Sequence, residues 1–168
     1  VLGKWLGNAF LLALYLAFMG LGIIISVQVQ SGYVAPHSLL GLGLIYLNGL
    51  LILTITLALS STISTLATGG AIFGLYGLAF IGGWVERIGS LINNQTAIDL
   101  GIASSLLIPS EAIWNLASSQ MTTSFLRSFG QNPFTSGSVP SPLMVVYSIV
   151  YLLGFLGLAI RNFSQRDL

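Results

Sequence analysis

Apolar residues run almost unbroken through four stretches of the chain, at 6–27, 39–59, 65–84 and 143–160, with polar positions confined to the short segments between them. Each stretch is close to the roughly 20 residues that carry a helix across a bilayer. The pattern predicts four transmembrane helices. Between the third and fourth it changes. Residues 90–96, SLINNQT, are a polar break, and 98–108 is an apolar, helix-compatible run too short to span. Pro109 and Ser110 punctuate it; Ser110 is expected to cap a second short helix over 111–125, with Glu111 favourably placed in its first turn. Two short helices joined by a Pro-Ser corner predict a re-entrant or interfacial hairpin. The segment 130–142, GQNPFTSGSVPSP, reads as an aqueous loop. The predicted fold class is therefore an all-α membrane protein, a single domain over 1–168 with four spans and two short helices.

Within the spans the spacing of small and polar residues assigns faces. In 66–88, LATGGAIFGLYGLAFIGGWVERI, Gly70, Gly74 and Gly77 fall at i, i+4 and i+7 on one side of a helix, and Phe73, Tyr76 and Phe80 share another. A smooth face lets a second backbone approach closely, which is how helices associate in lipid, so this face is expected to pack. Ala9, Ala13, Ala17 and Gly20 form a comparable ladder in the first span. Lys4 and Trp5 mark its entry, and QVQSGYVAPHS at 28–38 reads as a short aqueous connection. Asn48 lies near the middle of the second span, with Thr54 and Thr56 beyond it. An amide at that depth either bonds a neighbouring helix or lines a polar path, and Asn48, Thr54 and Tyr76 are the candidate path residues. Hydroxyls crowd 60–68, SSTISTLAT, where they can satisfy carbonyls at a helix end. Trp84 sits where an aromatic belt residue belongs, with Glu86 and Arg87 at the aqueous edge as candidate outer gate or anchor.

Composition supports the same class. Charged residues are 5% of the chain, against about 25% in soluble domains. No Asp, Glu, Lys or Arg lies between Lys4 and Glu86. A net charge of +1 without clustered Lys or Arg gives nothing for nucleic acid. The absence of cysteine removes disulfides, thiolate nucleophiles and Cys-based metal sites. His37 is the sole histidine and has no acidic neighbours, so it is a poor metal ligand. The triplet Asn94-Gln95-Thr96 fits a glycosylation sequon, which matters only in a eukaryotic secretory setting. An intramembrane protease would need Ser with His, or clustered His and carboxylates, in facing spans; neither set is present. Four crossings put Lys4, Arg161 and Arg166 on one side and Arg87 and Arg127 on the other, so the positive-inside rule makes both ends of the chain cytoplasmic.

The ordered set VLGKWLGNAFLLALY, STISTLATGGAIFGLYGLAFIGGWVERIGSL, IPSEAIW, SVPSP and RDL resembles the C-terminal two-thirds of a bacterial ABC-2-type transporter permease, over nearly the whole chain. The resemblance implies that these are spans three to six of six. The first two spans and the coupling segment would precede Val1, leaving Lys4 to Gly7 as the candidate coupling side. It places short extracytoplasmic helices between the fifth and sixth spans, where 98–125 falls. It further implies an inner (plasma) membrane exporter built from two permease copies, as a homodimer or heterodimer, and two separate ABC ATPase subunits. ATP and Mg would sit on those ATPase subunits, and no cofactor or metal is expected in this chain, which has no GxxxxGK[ST] loop. The rival readings are a passive channel, which polar mid-span residues also suit, and a non-transporting membrane assembly subunit.

Overall fold

The structure is a computed structural model that describes residues 1–122 and 140–164, and all of the regular structure among them is helical. The order is α1 (Leu2–Ser31), α2 (Ser38–Ser60), α3 (Thr65–Leu91), α4 (Gln95–Leu107), α5 (Ser110–Met121) and α6 (Leu143–Ser164). Helices α1, α2, α3 and α6 are each long and apolar enough to cross a membrane. This is the architecture of a multi-pass membrane protein, four spanning-length helices with a bent pair between the third and fourth.

The helix ends follow local chemistry. α1 continues through the segment expected to be a connection and stops at Gly32, whose φ of 66° is a left-handed conformation that favours glycine and whose N–H donates to the Gln28 carbonyl. At the end of α2, the hydroxyls of Ser60, Ser61 and Thr62 donate to the carbonyls of Leu57, Ala58 and Leu59, as the hydroxyl cluster predicts. Ser64 then caps α3 by accepting from the Ala67 N–H. Asn93 turns the chain with a positive φ of 54°, and Asn94 caps α4 by accepting from the Ala97 N–H, so that helix starts at Gln95 rather than 98. Ser110 does not cap α5. Pro109 occupies the cap position, Ser110 is the first helical residue, and its buried hydroxyl has no partner. The expected extension of α5 from 123 to 125, Arg127, the loop of 130–139 and the terminal RDL lie outside the described residues.

α2 is the central helix, and α1, α3, α5 and α6 all pack on it. Leu44 and Leu51 of α2 meet Ile113, Leu116 and Ala117 of α5 and Leu152 of α6 in the principal apolar cluster. The outside of the bundle is equally apolar: Phe18, Leu66 and Phe73 are 82%, 89% and 83% exposed. An apolar surface on that scale suits hydrocarbon rather than water as its solvent.

The bent pair α4–α5 turns by 100° at the Ile108–Pro109 break. α4 folds back antiparallel along the C-terminal half of α3, with Ala97 against Gly89, Gly101 against Glu86 and Ser104 against Gly82. α5 returns along α2 until Met121 reaches Gly41 near the start of that helix. The two short helices thus leave and rejoin the same end of the bundle as a re-entrant hairpin.

Among the described residues, α3 makes its close helix contacts through glycines other than Gly70, Gly74 and Gly77. Around Gly70, Gly74 and Gly77 a Cβ would meet nothing within 4 Å, so this face is open among the described residues. The close approach falls one to five turns later, at Gly82, Gly83 and Gly89, where α4 and α5 arrive. In α1, Ala9 is buried, Ala13 is half-buried and Ala17 is exposed, so the ladder meets α2 over only part of its length. Gly20 continues that contact against Leu42.

Candidate functional site

The densest polar constellation among the described residues is built where α3 ends and α5 begins. Gly83 supplies the opening: the Glu111 side chain lies in its notch, and a Cβ at Gly83 would stand 2.6 Å from Glu111 Cγ. One turn further along α3, Arg87 Nη2 donates to Glu111 Oε1 at 2.7 Å and to Asn115 Oδ1 at 2.6 Å. Asn115 Nδ2 donates to the same Glu111 oxygen at 3.4 Å, so the three side chains close a triangle. Residues 111 and 115 lie at i and i+4 and therefore share a face of α5. The ion pair is well covered, with side-chain exposures of 13% for Arg87 and 8% for Glu111. The Arg87 guanidinium also stands 5.9 Å from the centre of the Trp84 ring, which packs edge-on against Phe80. Glu86, on the adjoining face of α3, packs on Gly101 of α4. The expected gate or anchor residues therefore divide their work: Arg87 holds α5, and Glu86 lies under α4.

Pairing in this setting is needed for stability. A carboxylate and a guanidinium removed from water are tolerated only when their charges and hydrogen-bonding capacity are met nearby. Glu111 also sits in the first turn of α5, where the helix dipole favours a negative side chain. Two buried polar atoms stay unpartnered here, Arg87 Nε and Ser110 Oγ.

The hairpin is held at two further points. Tyr147 and Tyr151 of α6 donate their hydroxyls to the carbonyls of Leu106 and Leu107, at 2.5 and 2.9 Å, satisfying acceptors that the end of α4 leaves open. Tyr33, in the α1–α2 connection, donates to the Met121 carbonyl at the end of α5.

The three candidate path residues do not form one lining. Thr54 is fully buried and committed: it accepts from the Trp5 indole at 2.8 Å and donates to the Leu50 carbonyl at 2.7 Å, fastening α1 to α2. Tyr76 is exposed on α3. Asn48 alone keeps the features of a functional polar group, because it is 8% exposed and its Oδ1 has no partner. It lies on the α2 face between Leu44 and Leu51, which pack against α5 and α6. Lys4 is exposed on the first turn of α1, and its neighbour Trp5 points inward to Thr54. Among the described residues no three His, Asp or Glu side chains gather as a metal-ligating set. Sequence reasoning placed Glu111 only as a dipole partner and missed Asn115, Tyr147 and Tyr151 as fasteners. The signal was the i, i+4 pair 111/115 within reach of Arg87, the one Lys or Arg between Lys4 and Arg127.

The chain matches no family model, no curated protein and no solved structure. The arrangement itself offers no nucleophile–base pair; it offers a buried, multiply bonded charge pair that ties a re-entrant hairpin to a spanning-length helix.

Proposed function

We propose that this chain is a membrane-spanning permease subunit of an ABC-2-type ATP-driven transporter, an exporter of the inner (plasma) membrane with both ends of the chain cytoplasmic. One observation carries the reading: a re-entrant hairpin at one end of a four-helix bundle, between its third and fourth long helices, where the sequence resemblance expects short extracytoplasmic helices. Nucleotide-driven closure of a partner ATPase pair would rock two permease copies between inward- and outward-open states. Different cargo affinities in the two states would give direction. In this scheme the face at Gly70, Gly74 and Gly77, open among the described residues, is available to a second copy, and Asn48 is the polar point within the bundle that cargo or water meets.

The test is co-purification of the intact permease with its ATPase, followed by vesicle reconstitution. Cargo-stimulated ATP hydrolysis with ATP-dependent flux is the expected result. The unpartnered Asn48 carbonyl favours one second reading, a passive channel. Equal flux with and without ATP would establish that reading and overturn the transporter.

A further inference from the structure

The contacts between helices are unevenly distributed, and the distribution divides the molecule in two. α3 and α4 share the most extensive helix–helix contact, whereas α5 and α6 belong to α2, as does α1. The α2–α3, α3–α5 and α4–α5 contacts are slight by comparison.

The chemistry of the contacts differs in the same way. α3 and α4 approach through glycines: a Cβ on Gly101 would stand 2.9 Å from Glu86 Cα, and one on Gly89 would stand 3.0 Å from the Ile98 nitrogen. Backbones that close leave no room to slide. α2, α5 and α6 interlock through side chains, with Leu51 and Ile113 fully buried and the Met121 side chain, not backbone, lying on Gly41. Across the seam between the two groups, Gly83 of α3 receives a side chain, that of Glu111, rather than backbone, and the specific hydrogen bonds named above come from polar side chains on long or aromatic stems. Arg87 reaches Glu111 and Asn115, and Tyr147 and Tyr151 reach the carbonyls of Leu106 and Leu107. Opening these bonds separates side chains and not backbones packed at glycine: the Tyr147 and Tyr151 bonds are exposed and can be replaced by bonds to water, and the covered Arg87–Glu111 pair is the stronger hold.

The covalent links across the seam are short and suited to bending. One is the Ser61–Ser64 turn between α2 and α3, and the other is the Ile108–Pro109 elbow, where Ile108 is extended at φ −141°, ψ 110°. Hinges are a few residues at element ends that absorb backbone rotation, with packed bodies on either side.

We infer that α3 and α4 form one rigid body that swings against a second body of α1, α2, α5 and α6, with hinges at 61–64 and 108–109 and the Arg87–Glu111–Asn115 triangle as its latch. The inference concerns the mechanics of the chain and does not depend on ATP-driven transport.

Because the chain has no cysteine, spin labels can be attached at introduced positions alone. The protein in lipid nanodiscs carries one of two label pairs. Asp99→Cys with Leu40→Cys spans the seam from α4 to α2, and Asp99→Cys with Phe73→Cys stays within α3–α4; all three positions are exposed. Pulsed electron–electron distance measurement is expected to give narrow distributions for both pairs in the native background. Arg87→Gln should add a second, longer population to the seam-spanning pair and leave the internal pair unchanged. The exchange Arg87→Glu with Glu111→Arg should restore the single population. Tyr147→Phe with Tyr151→Phe, which leaves the charges intact, should broaden the same seam-spanning distance and serves if Arg87→Gln fails to fold. The inference is overturned if the seam-spanning distance ignores these changes, if both pairs broaden together, or if charge exchange is as disruptive as Arg87→Gln.

Discussion

Arg87 shows how much depends on a single side chain in a sparsely charged chain. Replacing it with leucine leaves the buried Glu111 carboxylate without its cation and the half-buried Asn115 carbonyl without its donor. Breaking a buried pair from one side costs about 3–5 kcal/mol. Arg87→Leu should therefore lower the unfolding midpoint of the purified protein sharply, and Arg87→Leu with Glu111→Leu should recover much of the loss. Glycine substitutions should separate two kinds of surface. Gly101→Ala forces a Cβ against Glu86 backbone atoms that cannot yield, and overpacking of this kind costs about 1–3 kcal/mol. Gly74→Leu meets open space among the described residues, so it should leave the unfolding midpoint of the isolated subunit unchanged while reducing self-association by size-exclusion chromatography. Asn48→Leu should also preserve the fold, since it removes a buried acceptor that has no partner, yet it should depress flux if Asn48 serves cargo or water. A sharp fall in thermal stability would return Asn48 to a purely interhelical role.

The elements were legible wherever they carry a long apolar run, because hydrocarbon imposes length and composition on a span more strictly than water does. Their ends were less legible. α1 runs on through a polar sequence to Gly32 because a lipid-length apolar run does not mark where a helix stops, only where it leaves the membrane. The start of α4 was hidden in SLINNQT, where Asn93 and Asn94 look like generic loop residues but act as a left-handed turn and a cap. The face through which α3 packs among the described residues was hidden for a related reason. Glycine spacing shows which faces are smooth, not which of them a partner occupies, and the decisive partner, α4, lies nearby in sequence but folds back onto Gly82 and Gly89. At this scale the hairpin makes its own prediction. Tyr147→Phe with Tyr151→Phe strips the donors from the Leu106 and Leu107 carbonyls. Amide hydrogen exchange should then accelerate across 104–110, with the amides of α2 unaffected.

For the whole molecule, the composition already required lipid as solvent, and the structure supplies the arrangement: a central helix, three spanning-length neighbours and a re-entrant hairpin gathered at one end. The polar triangle on which the hairpin hangs needed the fold, because Arg87, Glu111 and Asn115 are brought together only by the 100° bend that returns α5 to the bundle. Everything proposed about transport presupposes that the four long helices cross a bilayer in alternating directions. Single cysteines at Val34, Ile63, Asn93 and Ser164, all exposed positions in a cysteine-free sequence, test this with a membrane-impermeant maleimide on oriented vesicles. Labelling of 34 and 93 from one face and of 63 and 164 from the other is the predicted result. Reaction of all four from the same face would contradict it.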